Sequence, residues 1–134
     1  MIHATALQGL AKDSSIQSLV VALGGTTVNA INSYAEVLAS VFTETDIVSY
    51  TVPANKTARI SGWQVSSSPG ARFKLQVDGV VKGLVRTSAT KPTDEVTFNG
   101  GVLVATTGQI VKISGYHEDS ESQNMNASIF GVYE

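Results

Sequence analysis

The sequence predicts an all-β protein: a jelly-roll-like antiparallel β-sandwich of about eight strands, with a short, partly helical N-terminal arm. Three observations carry this expectation. Residues Ala71 to Arg86, ARFKLQVDGVVKGLVR, alternate apolar and polar side chains around an Asp78-Gly79 pair. That is the pattern of a β-hairpin closed by a type I′ turn, which needs positive φ at both central residues. From Asp46 onward the apolar period is two, and turn residues recur roughly every 8–12 positions. No helical stretch of roughly 10–15 residues separates these strands, which argues against a parallel βαβ sheet.

The first 45 residues differ from the rest. Ile16, Leu19, Val20 and Leu23 fall at i, i+3, i+4 and i+7, one face of a helix. Asp13 or Ser14 can cap its start, and Gly24-Gly25 stops it. A second helical phase runs through Ile31, Tyr34, Ala35, Leu38 and Val41, although Val37, Ala39 and Val41 also fit a strand. Up to Phe42 the formal charges are Lys12, Asp13 and Glu36. Two helices this short are marginal alone and must bury their stripes. They do so either on their own domain or on other subunits or a partner. The second option divides the chain into an assembly or attachment arm, 1–45, and a sandwich, 46–134.

Ile47 to Val52 reads as the first strand of the body, followed by a turn at Pro53-Ala54-Asn55-Lys56, where Pro sets φ. Thr57 to Ser66 is a long strand; strict alternation puts Trp63 on the face of Arg59, Ser61 and Val65. Ser66 to Gly70 is a loop by composition. The central hairpin follows, then a polar connection over Thr87 to Thr93. Asp94 to Phe98 and Val102 to Val104 are short strands separated by a turn at Asn99-Gly100-Gly101. Gln109 to His117 and Met125 to Tyr133 are the last two strands, with an acidic loop at His117 to Glu121 between them.

Composition narrows the function. Charged residues make up 15% of the chain, against roughly 25% in ordinary soluble domains. The formal net charge is -2, so nothing marks a nucleic-acid binder. There is no cysteine, which excludes disulfides, thiolate metal sites and a Cys nucleophile. MIHATALQ lacks a basic n-region, and Leu19 to Leu23 is far short of the roughly 20 residues a membrane span needs. The expectation is a protein made in a cytosol, with no membrane partner.

No catalytic constellation emerges. His3 and His117 are the two histidines, and there is no G-x-S-x-G elbow. His117 reads as a solvated loop residue beside Glu118 and Asp119. Asp94 and Glu95 are adjacent, so on a strand they point to opposite faces rather than across a cleft. Glu118, Asp119 and Glu121 share one loop that lacks the spacing and glycine of an EF-hand. Catalytic residues, cofactors and resident metals are therefore not expected. Trp63 and Tyr116 are the aromatic candidates for stacking a ligand, Trp63 also fitting a core position.

The runs TVPANKTARISGWQV, ARFKLQVDGVVKG and GGVLVATTGQIVKISGYH resemble the jelly-roll structural proteins of tailed bacteriophages, head decoration (cement) proteins and fibre domains among them. The likeness covers roughly residues 46–134, with Asn55 where glycine is common in that family. It implies a trimeric, non-enzymatic virion protein, assembled in the host cytoplasm and docked on the major capsid protein by a terminal arm. Leu19, Val20, Leu23 and Leu38 are then the candidate capsid or subunit contacts, on helical phase. The alternative is a fibre or baseplate tip domain that binds a receptor or glycan. Loops 66–70, 87–93 and 117–124 would carry that binding, with Trp63 or Tyr116 as the stacking face.

Overall fold

The computed structural model describes residues 28–68, 70–98 and 102–134. The helix expected over Ile16 to Leu23, with Leu19, Val20 and Leu23, lies outside the described residues, as does the Asn99–Gly101 turn. Among the described residues the chain forms nine strands: β1 (Asn29–Ala39), β2 (Thr45–Thr51), β3 (Thr57–Ser67), β4 (Ala71–Val77), β5 (Val80–Arg86), β6 (Thr93–Thr97), β7 (Leu103–Thr106), β8 (Ile110–His117) and β9 (Gln123–Tyr133). They build two antiparallel sheets packed as a jelly-roll-like sandwich. One sheet runs β1-β9-β3-β6, with β7 also on β3; the other runs β2-β8-β4-β5. β6 pairs with residues 62–66 of β3 and β7 with 57–60, so the two share the flank of one long strand.

The core lies between the sheets and follows the period of two. Ile31 and Ala39 of β1, Met125, Ala127 and Ile129 of β9, and Ile60, Trp63 and Val65 of β3 meet Phe73, Leu75 and Val77 of β4 and Val111 and Ile113 of β8. Burying each large aliphatic or aromatic side chain contributes about 1.5–3 kcal/mol. The central hairpin forms where alternation put it. Asp78 and Gly79 have φ of 48° and 80°. The turn is locked to β8: Asp78 N–H donates to the Ile110 carbonyl at 3.0 Å, and Ile110 N–H donates to Asp78 Oδ1 at 2.9 Å. Asn55, at φ 61°, takes the left-handed conformation that its short polar side chain tolerates.

Two expectations are corrected. The helical phase through Ile31, Tyr34, Ala35, Leu38 and Val41 is not a helix. Asn29–Ala39 is a strand, paired antiparallel with β9 along its whole length, from Asn29 opposite Tyr133 to Ala39 opposite Gln123. Ile31, Ala35, Val37 and Ala39 turn to the core, while Tyr34 and Leu38 stay outside at 61% and 67% exposure. Asn29–Ala39, within the stretch read as the arm, is thus an edge strand of the sandwich. The second correction is in β3. The register shifts by one between Ile60 and Gly62. This β-bulge changes the phase of alternation, so Ile60 and Trp63 both face inward while Arg59 and Ser61 stay exposed.

Candidate ligand site

The two outer faces differ in chemistry. On the β1-β9-β3 sheet the outward rows are Tyr34, Ser128 and Gln64, then Glu36, Asn126 and Ser66. These are mostly neutral amides and hydroxyls. The β8-β4-β5 face carries more of the cations, Arg59 of β3 being paired with Glu134 on the other sheet. Tyr116 stands opposite Arg72, and Arg72 opposite Arg86, so the three make one row across the sheet. Ser114, Lys74 and Leu84 make the next. Glu44, on the connection into β2, serves this face. Its carboxylate lies 3.7 Å from Arg72 Nη2 and 3.5 Å from Lys74 Nζ, and accepts from Ser114 Oγ at 3.1 Å. Lys112 pairs with Asp46 at 3.3 Å.

At the end of this face is a cavity of about 310 Å³, lined by Gly70, Ala71, Arg72, Arg86, Thr87, Tyr116, His117 and Glu118. Strand ends and three loops contribute. The strand pairing of β4 with both β5 and β8 places them: Ala71 stands opposite His117. Thr87 N–H donates to the Ala71 carbonyl at 2.9 Å, and Ala71 N–H returns the bond to Thr87 Oγ1 at 3.1 Å. The Arg72 guanidinium lies over the Tyr116 ring, 4.8 Å from its centroid. Tyr116 donates its hydroxyl to Glu118 Oε1 at 3.3 Å. Its phenol is held above the usual tyrosine range, first by desolvation and then by the Glu118 charge and hydrogen bond and by Glu44, with Arg72 opposing. The phenol therefore stays neutral and a donor. Arg72 Nε is buried without an acceptor.

His117 corrects the solvated reading. It is 1% exposed. Its Nε2 lies 2.8 Å from the Ala39 carbonyl, and its Nδ1 accepts from Asp119 N–H at 3.2 Å. Those partners assign the proton to Nε2. The ring clamps β8 to β1 and is committed to structure. The acidic loop is likewise tied down, with Gln123 Nε2 donating to Asp119 Oδ2 at 2.6 Å. Among the described residues no group of three or more His, Asp or Glu side chains is placed to hold a metal ion.

Trp63, the other candidate for stacking a ligand, is 1% exposed and offers no face to solvent. It fills the core instead, against Gly83 of β5: a Cβ there would lie 3.0 Å from Trp63 Cζ2. Tyr116 does reach the cavity, and loops 66–70, 87–93 and 117–124 each send a residue into it, Gly70, Thr87 and Glu118. Leu38 is exposed on β1, far along the chain from the cavity loops, beside Tyr34 and Phe42 on the same strand and its exit. Sequence reasoning missed Arg72 and Arg86. Their opposition follows from hairpin register, which the Asp78-Gly79 turn allows but the bulge in β5 disguises: Leu75 pairs with Gly83 and Gln76 with Val81.

No family profile and no curated protein matches the chain. Among solved structures, it is similar to the CBM36-1 domain of a multidomain xylanase from the hindgut metagenome of Trinervitermes trinervoides, at 15% identity and TM-score 0.45, covering 75% of this chain and 95% of that one. A carbohydrate-binding module CBM36 in complex with calcium and xylotriose aligns at 18% identity and TM-score 0.43, over 80% of this chain and 99% of that one. The nucleoplasmin-like N-terminal domain of Drosophila FKBP39 aligns at 12% identity and TM-score 0.37, over 75% and 90%. The sandwich assignment rests on the strand pairings themselves.

Proposed function

We propose that the sandwich is a non-catalytic recognition domain that binds a saccharide, of a receptor or other glycan, in the cavity beside Tyr116. The observation that carries this reading is convergence. Gly70, Thr87 and Glu118, from three loops separated in sequence, line one cavity together with Tyr116, Arg72 and Arg86. Saccharides are held by planar polar side chains that meet hydroxyl pairs and by rings that meet C–H faces. Arg72, Arg86, Glu118 and Tyr116 supply both. The 310 Å³ volume is at the small end of ligand pockets, roughly 300–1,000 Å³, and suits one sugar unit of a longer chain. The test is a glycan array probed with the full chain. Binding that falls at least tenfold in Tyr116→Ala, with Tm unchanged, supports the reading; no binding, or binding indifferent to Tyr116→Ala, ends it.

A second reading is favoured by a different observation. Tyr34, Leu38 and Phe42 are all exposed beyond 60% on β1 and its exit. Phe42 holds a left-handed φ of 55°, a costly conformation for a bulky residue. This apolar strip fits an assembly contact. The cement-protein role belongs to that reading, with a homotrimer, a major capsid protein as partner and a virion location. Light scattering on Leu38→Lys/Phe42→Ser tests it: a mass unchanged from that of the unaltered chain counts against subunit contacts there.

A further inference from the structure

Resting on the saccharide reading, we infer that the sugar is acidic, with a single carboxylate seated on the Arg72–Arg86 pair. Two arginines directly opposite on neighbouring strands repel each other and cost stability. Among the described residues the counter-charge at this pair is incomplete. Among the described residues Arg86 forms no ion pair, while Arg72 shares Glu44 with Lys74 and Ser114. Arg72 Nε is buried without an acceptor. Both residues line the cavity. A carboxylate offers acceptors in the plane that a guanidinium fork needs, and would supply the charge this pair lacks.

Glu118 narrows the class. It accepts the Tyr116 hydroxyl, and so lies at the far end of the ring that Arg72 covers. Its carboxylate takes hydroxyl donors and repels a second anionic group. The ligand is therefore a sugar with one carboxylate and otherwise neutral hydroxyls, such as a uronate, rather than a polysulfated chain. Tyr116, neutral through the physiological range, adds no opposing charge.

The experiment uses the full chain on an array of neutral, uronate-containing and sulfated oligosaccharides, followed by calorimetry on the best binder of each class. The expected result is at least a tenfold preference for uronate over its neutral counterpart. Arg86→Gln should remove that preference without lowering Tm, and Arg86→Lys should restore only part of it. Equal affinity for neutral and uronate sugars, with both lost in Tyr116→Ala, overturns the acidic assignment and leaves the saccharide reading standing. A preference for sulfated over uronate ligands also overturns it. Binding of no class, with Tyr116→Ala silent, overturns both.

Discussion

Trp63 shows how a single extra residue changes a side chain's role. Strict alternation groups it with Arg59 and Ser61, but the bulge at Ser61 turns it inward onto Gly83. Hydrophobic period cannot register a bulge, because the extra residue leaves the apolar composition of the strand intact. The packing it produces is tight enough to predict from. Gly83→Val should destabilise the fold by about 1–3 kcal/mol, the usual cost of overpacking, and Trp63→Ala by about 3–5 kcal/mol; urea denaturation measures both. Tyr50 is the opposite case. Its ring lies 6.4 Å from that of Tyr133, and its hydroxyl is buried without a partner. Tyr50→Phe removes a group whose desolvation nothing repays, so stability should hold or rise. The phenol is also pushed above its ordinary value, by desolvation first and Tyr133 second. A raised folded value means that the folded state keeps its proton longer. The contribution is complete below about pH 10, the unfolded tyrosine value, and is lost as pH rises through the folded one. Thermal melts above that pH should fall more steeply for the unaltered chain than for Tyr50→Phe.

At the level of elements, the hairpin and β1 mark the two ends of legibility. The β4–β5 hairpin falls at the residues its sequence dictates, since Asp78-Gly79 sets both the turn and its position. β1 is ambiguous in sequence because an edge strand with exposed Tyr34 and Leu38 mimics a helical stripe when apolar residues on both faces are counted together. Only the partner strand decides, and β9 is more than eighty residues away in the chain. The joint between β1 and β8 was invisible for the same reason. His117 has the sequence context of a loop residue, yet it holds the end of β1 through the Ala39 carbonyl, and its own carbonyl accepts Phe42 N–H at 3.0 Å. His117→Phe keeps the bulk and removes both ring hydrogen bonds. It should cost about 1–3 kcal/mol, the price of leaving buried polar groups unmet. Hydrogen exchange should show the loss first at Phe42 and Asp119.

Across the whole molecule, the low charge content reads differently once its distribution is known. The β1-β9-β3 face carries one cation, Arg59, paired with Glu134, besides the outward Glu36, and ends in the apolar strip of Tyr34, Leu38 and Phe42. The β8-β4-β5 face carries Arg72, Lys74, Arg86 and Lys112. Composition alone reported the sum and hid the segregation. If the cation row recognises a ligand and the apolar strip recognises protein, the two properties must separate. Leu38→Lys/Phe42→Ser should alter mass in solution and leave uronate affinity unchanged, while Arg86→Gln should do the reverse. Glu44→Gln adds a sharper condition. Its ion pairs are long and about one-third exposed, and glutamine keeps an acceptor for Ser114 Oγ, so the change should cost about 1 kcal/mol of stability or less. The same change uncovers positive charge on Arg72 and Lys74, so uronate affinity should increase, and by more at low salt than at high. An affinity that fell instead would mean that Glu44 positions Arg72 rather than competing for it.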